Sequence, residues 1–210
     1  MKLFEALDNF LNKITMYRLT MYSLIFLVLY GFLFSAFGFL SFNPLNLVFS
    51  FIFLTVACLL VNQLFAYVYK APSNADSVYI TAWILVLIIN PPKSLDGIMF
   101  LVFASVFAMA SKYILAIKKK HVFNPAALAV ALTALLFGQY ASWWVGTLVL
   151  APWVFVVGFL IVRKIKRWDL VLSFFIVAAV MIICRAFLAG QNVGFIAKAL
   201  IVDSPVMFFA

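Results

Sequence analysis

The sequence predicts an all-α integral membrane protein with about seven membrane segments, two of them short or broken. Of its residues, 68% are hydrophobic and only 10% are charged, and the mean hydropathy is +1.21. Such a chain has too little polar surface to cover a water-soluble globule. Lys and Arg outnumber Asp and Glu by 15 to 6, but they gather at the ends of apolar segments. That position is typical of membrane topology signals and argues against nucleic acid as a partner.

Residues 1–20 are predicted to form an amphipathic helix on the membrane surface. Apolar side chains recur at three- and four-residue intervals from Leu3 to Ile14, with charged and amide side chains between them. That pattern places one face on lipid and the other in water. The alternative is a secretory signal peptide, but Phe4 to Thr20 contain neither a short basic region nor a small-residue cleavage site.

Residues 21–210 are predicted to form one polytopic membrane domain. Its full-length apolar segments each approach or exceed the ~20 residues that a ~30 Å hydrocarbon core requires. They cover about Met21 to Leu40, Leu45 to Tyr69, Gly97 to Ile117, the residues leading to Val162, and Asp169 to Leu188. A short apolar piece follows at 193–202.

Two apolar segments are too short to cross a bilayer as straight helices. Val78 to Ile89 is ended by Asn90 and Pro91, and Pro125 to Gly138 is opened by Asn124. A helix of about 12 residues covers only ~18 Å. Discontinuous segments marked by proline indicate a binding or transport site, because irregular backbone survives at membrane depth only inside protein or beside a cavity. The alternative is two tilted spans in a locally thinned bilayer.

The basic residues predict a multi-pass protein of the plasma (inner) membrane with a cytoplasmic N-terminus. If every apolar run is one crossing, Lys70, Lys118–Lys120 and Arg163–Arg167 all lie on the cytoplasmic side, and Lys93 is the exception. Lys112 has two interpretations. It either extends its ammonium to the interface, or it lies on an ion path or against an anionic cofactor.

Several kinds of catalytic and metal site are absent from the sequence. It has no glycine-rich phosphate loop, no Walker motif and no metal-ligand cluster. Its single histidine, His121, excludes a bis-histidine haem within the chain and is interpreted as an interfacial residue. Cys58 and Cys184 lie in apolar runs and are interpreted as small packing residues.

Several features carry a family resemblance, in order, within Ser77–Trp144. A short apolar run starts at Thr81–Ala82 and ends at Pro91–Pro92, the next span ends near Ser111–Lys112, and Phe123–Ala126 reads Phe-Asn-Pro-Ala. This ordered set resembles the membrane subunits of the Rnf and sodium-pumping NADH:quinone reductase complexes, the RnfD/NqrB family. The resemblance implies an inverted-repeat fold similar to urea transporters, and a flavin, FMN or riboflavin, in an electron relay coupled to Na⁺ or H⁺ movement.

The resemblance also implies candidate site residues. Those assigned to the cofactor are Asn124, Pro125, Thr133, Trp143 and Thr147. Those assigned to an ion or solute pathway are Thr81, Asn90, Pro91 and Lys112. No catalytic residue or metal ligand is assigned.

The sequence departs from the family pattern in two places. The family attaches FMN to a threonine in a Ser-Gly-Ala-Thr type motif, which this chain lacks, and Thr147 is the nearest threonine after Phe-Asn-Pro-Ala. The chain also stops at Ala210, where the family would enter its second short segment. We therefore expect the last helices to be missing here. The expected partners are the lipid bilayer, other subunits of an electron-transfer complex, and a fused or missing C-terminal reductase domain.

Two principal functions follow from these observations. The first is a membrane subunit of a flavin-dependent electron-transfer complex coupled to ion translocation. The alternative is a transporter or channel without redox chemistry, passing a small polar solute or ion along Thr81, Asn90, Asn124 and Thr133. A structural scaffold for partner subunits is a third possibility.

Overall fold

A computed structural model describes residues 2–117 and 120–190, and the predicted helical fold is confirmed for them, apart from one short pair of strands. Their α-helices are α1 Lys2–Lys13, α2 Met16–Ala36, α3 Pro44–Val68, α4 Ala75–Ile88, α5 Leu95–Ile114, α6 Pro125–Phe137, α7 Ala151–Ile165 and α8 Trp168–Leu188. Two strands of two residues each, β1 Ala116–Ile117 and β2 Lys120–His121, form an antiparallel pair between α5 and α6. A 3-10 turn covers Trp144–Gly146.

Four of the described helices are long and apolar enough to cross a membrane. They are α2, α3, α5 and α8, so the chain is a membrane protein, as predicted. The helices α4 and α6 are apolar but have only 14 and 13 residues, and they occupy the two places where short segments are predicted. Seven membrane segments and a urea-transporter-like arrangement stay predictions.

The first span begins earlier than the sequence suggests. The predicted surface helix over residues 1–20 is divided: α1 ends at Lys13 and α2 starts at Met16 instead of Met21. At its other end α2 stops at Ala36, and Gly38 takes a left-handed φ of 80°, a conformation that glycine adopts without strain. The apolar piece at 193–202 lies outside the described residues.

The chain forms two compact units, and the larger one contains residues 17–144. Within it α4 packs against α3, α5 and α6. Ala82 on α4 and Ala104 and Ala108 on α5 are completely buried. Small side chains of this kind let membrane helices approach closely. The core of this unit therefore lies around a helix too short to cross the membrane.

The second unit contains residues 1–16 and 145–210, of which 2–16 and 145–190 are described. In it Arg163 of α7 donates two hydrogen bonds to the Asp8 carboxylate of α1, at 2.7 and 2.9 Å. This contact holds the pKa of Asp8 below its ordinary value. Lys164 Nζ also donates to Leu11 O at 2.7 Å. The N-terminal helix thus lies beside the basic end of α7, as expected if both face the same side of the membrane.

In the larger unit, polar contacts lie at both ends of α4. Lys93 Nζ, in the loop before α5, donates to Ser41 O in the loop before α3 at 3.3 Å. Tyr17, Lys70 and Lys112 line one cavity at the opposite end of α4. These contacts agree with the predicted alternation of loops, and which end faces the cytoplasm stays a prediction.

Candidate functional site

A polar cavity of about 560 Å³ lies at the N-terminal end of α4. Helices α3, α4 and α5 and the loop between α3 and α4 supply most of its wall. Its polar side chains include Asn62, Lys70, Ser77, Lys112 and Tyr113. A cavity of this volume is in the range of small-molecule binding sites.

Lys112 is a buried charge in the cavity wall. It lies in the last turn of α5, and only 8% of its surface is exposed. Its Nζ donates to the Ser77 backbone carbonyl at 2.7 Å and to Ser77 Oγ at 3.1 Å. In the part of the chain that the structure describes, no carboxylate comes within 4 Å of this ammonium. Buried lysines usually pair with an anion, so the charge at this site is uncompensated by the described protein groups.

The start of α4 positions the groups that bind Lys112. Asn74 caps the helix, and its side-chain oxygen accepts a hydrogen bond from Ser77 N at 3.4 Å. One turn further on, Thr81 Oγ1 donates to Ser77 O at 2.9 Å. Thr81 and Lys112, both predicted pathway residues, therefore meet at the same carbonyl oxygen.

A second polar pair, which the sequence analysis missed, supports the wall between α3 and α5. Asn62 is 3% exposed, and the Tyr113 hydroxyl donates to its Oδ1 at 2.9 Å. Asn62 Nδ2 in turn donates to Ser73 Oγ at 2.7 Å in the loop before α4. Burying an amide side chain without hydrogen-bond partners in an apolar span costs free energy. The asparagine at position 62, within an apolar run, is therefore the sequence feature that could have indicated this polar pair.

The charged groups around the cavity are of one sign. Lys112 and the exposed Lys70 line it, and within 2–117 and 120–190 no Asp or Glu does. The N-terminal end of α4 adds the partial positive charge of a helix start. Asp76 also belongs to the first turn of α4, but it is exposed and is not part of the wall. The cavity is therefore electropositive.

The opposite end of α4 is closed by a distant segment. The amides of Ser142 and Trp143 donate to Ile88 O at 2.9 and 3.0 Å. The Trp144 indole donates to Val86 O at 2.8 Å and to Ile89 O at 3.2 Å. Trp143 takes a left-handed φ of 51° in this segment. The carbonyls of Val86, Ile88 and Ile89, which water cannot reach in a bilayer, thereby receive hydrogen bonds.

The Trp144 ring occupies a space that the first span leaves open. A Cβ atom placed on Gly31 of α2 would come 2.6 Å from Trp144 Cη2, so this position requires glycine. The ring of Phe42 meets the indole edge-on, with centroids 5.1 Å apart. Aromatic packing and hydrogen bonding together fix the indole at the end of α4.

The remaining predicted site residues of the larger unit do not line the Lys112 cavity. Asn124 caps α6 through Ala126 N and Ala127 N at 3.0 and 3.5 Å, and Pro125 is the first helical residue. The completely buried Thr133 donates to Val130 O within the same helix.

Three further predicted residues lie at other positions. Asn90 is exposed and Pro91 is buried, and both follow the C-terminal end of α4. Thr147 belongs to the other unit. Its hydroxyl oxygen is buried and has no hydrogen-bond partner among the described residues.

These features define a helical membrane protein with an electropositive, partly open cavity that polar and apolar groups line together. No group of three His, Cys, Asp or Glu residues that could hold a metal ion occurs within 2–117 and 120–190. No protein-family model, curated protein or solved structure matches the chain. The resemblance to the RnfD/NqrB family thus stays a prediction.

Proposed function

We propose that this protein moves a small polar or charged solute across the membrane and binds it in the Lys112 cavity. The observation that carries the proposal is the burial of Lys112 against Ser77 of another helix. A lysine that merely extends to the interface would hold its ammonium in water. Ionisable side chains that stay inside membrane proteins mark substrate and ion pathways, because burying a charge there is expensive.

The length of α4 supports a site at membrane depth. Its 14 residues cover about 21 Å, less than the ~30 Å hydrocarbon core. A straight helix of this length has at least one end within the bilayer, where short helices of transporters form their binding sites. We propose that the N-terminal end of α4, which carries the Lys112 cavity, is at that depth. We extend the proposal to seven membrane segments in an inverted-repeat fold similar to urea transporters, in the plasma membrane with the N-terminus in the cytoplasm.

A second candidate function is flavin-dependent electron transfer coupled to Na⁺ or H⁺ translocation, within a complex of several subunits or with a reductase domain. Two observations favour it. The electropositive cavity suits the phosphate of FMN, which riboflavin lacks, and Lys112 and Lys70 would face it. The buried Thr147 hydroxyl, in the other unit, has no partner among the described residues, and attachment of a separate flavin there would account for it.

A liposome assay tests the transport proposal. The protein would be reconstituted and volume recovery after osmotic shock followed by light scattering with urea, glycerol, formate and phosphate as probes. We expect faster recovery than in empty liposomes for at least one probe, and at least about tenfold slower recovery for Lys112→Gln, because it loses a charge-assisted contact. Lys93→Gln is the matched control, since Lys93 lies at the other end of α4. Rates equal to empty liposomes for all four probes would overturn transport of this solute class.

An absorbance and fluorescence spectrum of the purified protein in detergent tests the electron-transfer candidate. Flavin bands would support it, and acid precipitation would show whether the flavin is covalent. Loss of covalent flavin in Thr147→Ala, with the flavin retained in Thr133→Ala, would assign the attachment site. A folded, colourless preparation that transports a probe would reject electron transfer in favour of transport.

A further inference from the structure

We propose that the Lys112 cavity binds a phosphate group, either free or carried by an anionic lipid. This inference rests on the proposed function, because it names the chemical class of the ligand of that site. It is carried by the juxtaposition of a buried lysine, a serine hydroxyl and a second lysine in one cavity wall, to which the described part of the chain contributes no acidic side chain.

The hydrogen-bond inventory leaves donors for a ligand. An ammonium has three N–H donors. Two N–H groups of Lys112 donate to Ser77 O and Ser77 Oγ, and no acceptor for the third occurs among the described residues. Ser77 Oγ accepts from Lys112, and its own proton has no acceptor in the described part of the chain. One N–H and one O–H are thus available at the cavity wall.

Two acceptors of the wall next to Lys112 and Tyr113 are, in contrast, already engaged. Ser77 O receives hydrogen bonds from Lys112 and Thr81. Asn62 Oδ1 receives one from the Tyr113 hydroxyl. A ligand that offers acceptors matches this wall better than one that offers donors. An oxyanion offers acceptor oxygens only.

The charges of the cavity wall also favour an anionic ligand. A cation would meet two lysines and the N-terminal end of α4 with no carboxylate to offset them. A neutral solute would leave the buried ammonium uncompensated. A phosphate carries up to two negative charges at neutral pH and hydrogen-bonds strongly to ammonium groups. A phosphate group is therefore the ligand that satisfies both the donors and the charge.

The cavity has room for more than a bare ion. Its volume of about 560 Å³ leaves space for water or for the remainder of a larger molecule around the phosphate. Two sources supply this chemistry in a membrane: soluble phosphate and the headgroup of an anionic phospholipid. Another cavity, between α2 and α3, is lined only by apolar side chains such as Val28, Leu47 and Phe51 and offers no such contacts.

The test measures ligand binding to the full chain in neutral detergent. The thermal unfolding midpoint would be followed against sodium phosphate, with sodium chloride and sodium acetate at equal ionic strength for comparison. In a second arm, the protein in nanodiscs of phosphatidylcholine would be compared with nanodiscs containing phosphatidylglycerol. A ligand that binds only the folded state raises the midpoint in a saturable manner.

We expect phosphate or phosphatidylglycerol to raise the midpoint more than its comparison compound does. Saturation by phosphate indicates the soluble source, and a response to phosphatidylglycerol alone indicates the lipid source. The apparent affinity should fall at least about tenfold in Lys112→Gln, recover to within a few fold in Lys112→Arg, and stay unchanged in Lys93→Gln. Should Lys112→Gln not fold, the exposed Lys70→Gln replaces it, with a loss of severalfold expected.

Two results would overturn the inference. One is that neither phosphate nor phosphatidylglycerol exceeds its comparison compound. The other is that the Lys112 or Lys70 variant binds as tightly as Lys93→Gln. Because binding is measured without transport, phosphate binding in a protein that moves no probe retains this inference and rejects the transport function. Transport of a probe without phosphate binding retains the transport function and rejects this inference.

Discussion

The short helices α4 and α6 have the same features in the sequence but different roles in the structure. Each is apolar, each begins after an asparagine cap, and they have 14 and 13 residues. Helix α6 closes its own end: Gly138 takes a φ of 65° and its amide donates to Ala134 O. The end of α4 is closed by Ser142, Trp143 and Trp144, more than 50 positions further along the chain.

The two helices also differ in burial, and α4 is the more buried of the two. Eight residues of α4 are buried but only four of α6. The environment of α4 comes from three other helices, whereas α6 presents an exposed apolar face with Leu135 and Leu136. The comparison teaches that similar local signals can produce either a core helix closed by distant residues or a helix that packs mainly on one neighbour, α5, and is closed by its own caps.

The largest expected effect comes from Trp144→Ala. The change opens a cavity beside Gly31 and leaves Val86 O and Ile89 O without their side-chain donor. We expect the free energy of unfolding, measured by titration with a denaturing detergent, to fall by about 3–5 kcal/mol. Trp144→Phe keeps an aromatic ring but loses the N–H, and should lose about 1–2 kcal/mol. A Trp144→Phe variant as stable as the unsubstituted protein would show that packing, and not closure of α4 through the indole N–H, is the role of Trp144.

A smaller effect is expected at the start of α6. Asn124→Ala removes the acceptor for Ala126 N and Ala127 N, which costs about 1 kcal/mol. Amide hydrogen exchange should speed up at these two positions and leave α4 unchanged, because α6 carries its own cap. Asn124→Asp keeps the acceptor and serves as the control. Faster exchange in α4 as well would contradict the independence of the two helices.

The smallest effect is expected for Asn74→Ala, the corresponding cap of α4. Its single bond to Ser77 N is long, 3.4 Å, so its loss should cost about 0.5 kcal/mol, at the lower limit for caps. Unfolding measurements on the two alanine variants, made side by side, check the order. A larger loss at Asn74 than at Asn124 would show that the local cap, and not the tertiary contacts, holds the start of α4.

The sequence predicted the helices best where their end signals are local. The segment predicted from Pro125 to Gly138 is observed as Pro125–Phe137, because an Asn-Pro step and a glycine mark its two ends. The start of α2 was placed at Met21 and is observed at Met16. Its first turns contain the polar Arg18 and Thr20, so hydropathy alone extends the surface helix too far.

The candidate site was predicted only in part. Lys112 and Thr81 were assigned to one pathway, and the structure joins them through Ser77 O. Ser77, Asn62 and Tyr113 were missed, although Asn62 stands out as an amide in an apolar span. Which polar residues meet depends on how α3, α4 and α5 rotate against each other, and hydropathy hardly constrains this when all three helices are apolar on most sides.

The sequence by itself determined that this chain is a helical membrane protein, where its two short helices lie and how α6 begins and ends. Hydrophobicity and helix caps act within a few residues, so they can be recognised locally. Only the tertiary structure decided that Lys112 binds Ser77, 35 positions away, and that Trp144 binds Val86, 58 positions away. These bonds form because burial in lipid requires every polar group to find a partner, and packing determines which partner is within reach.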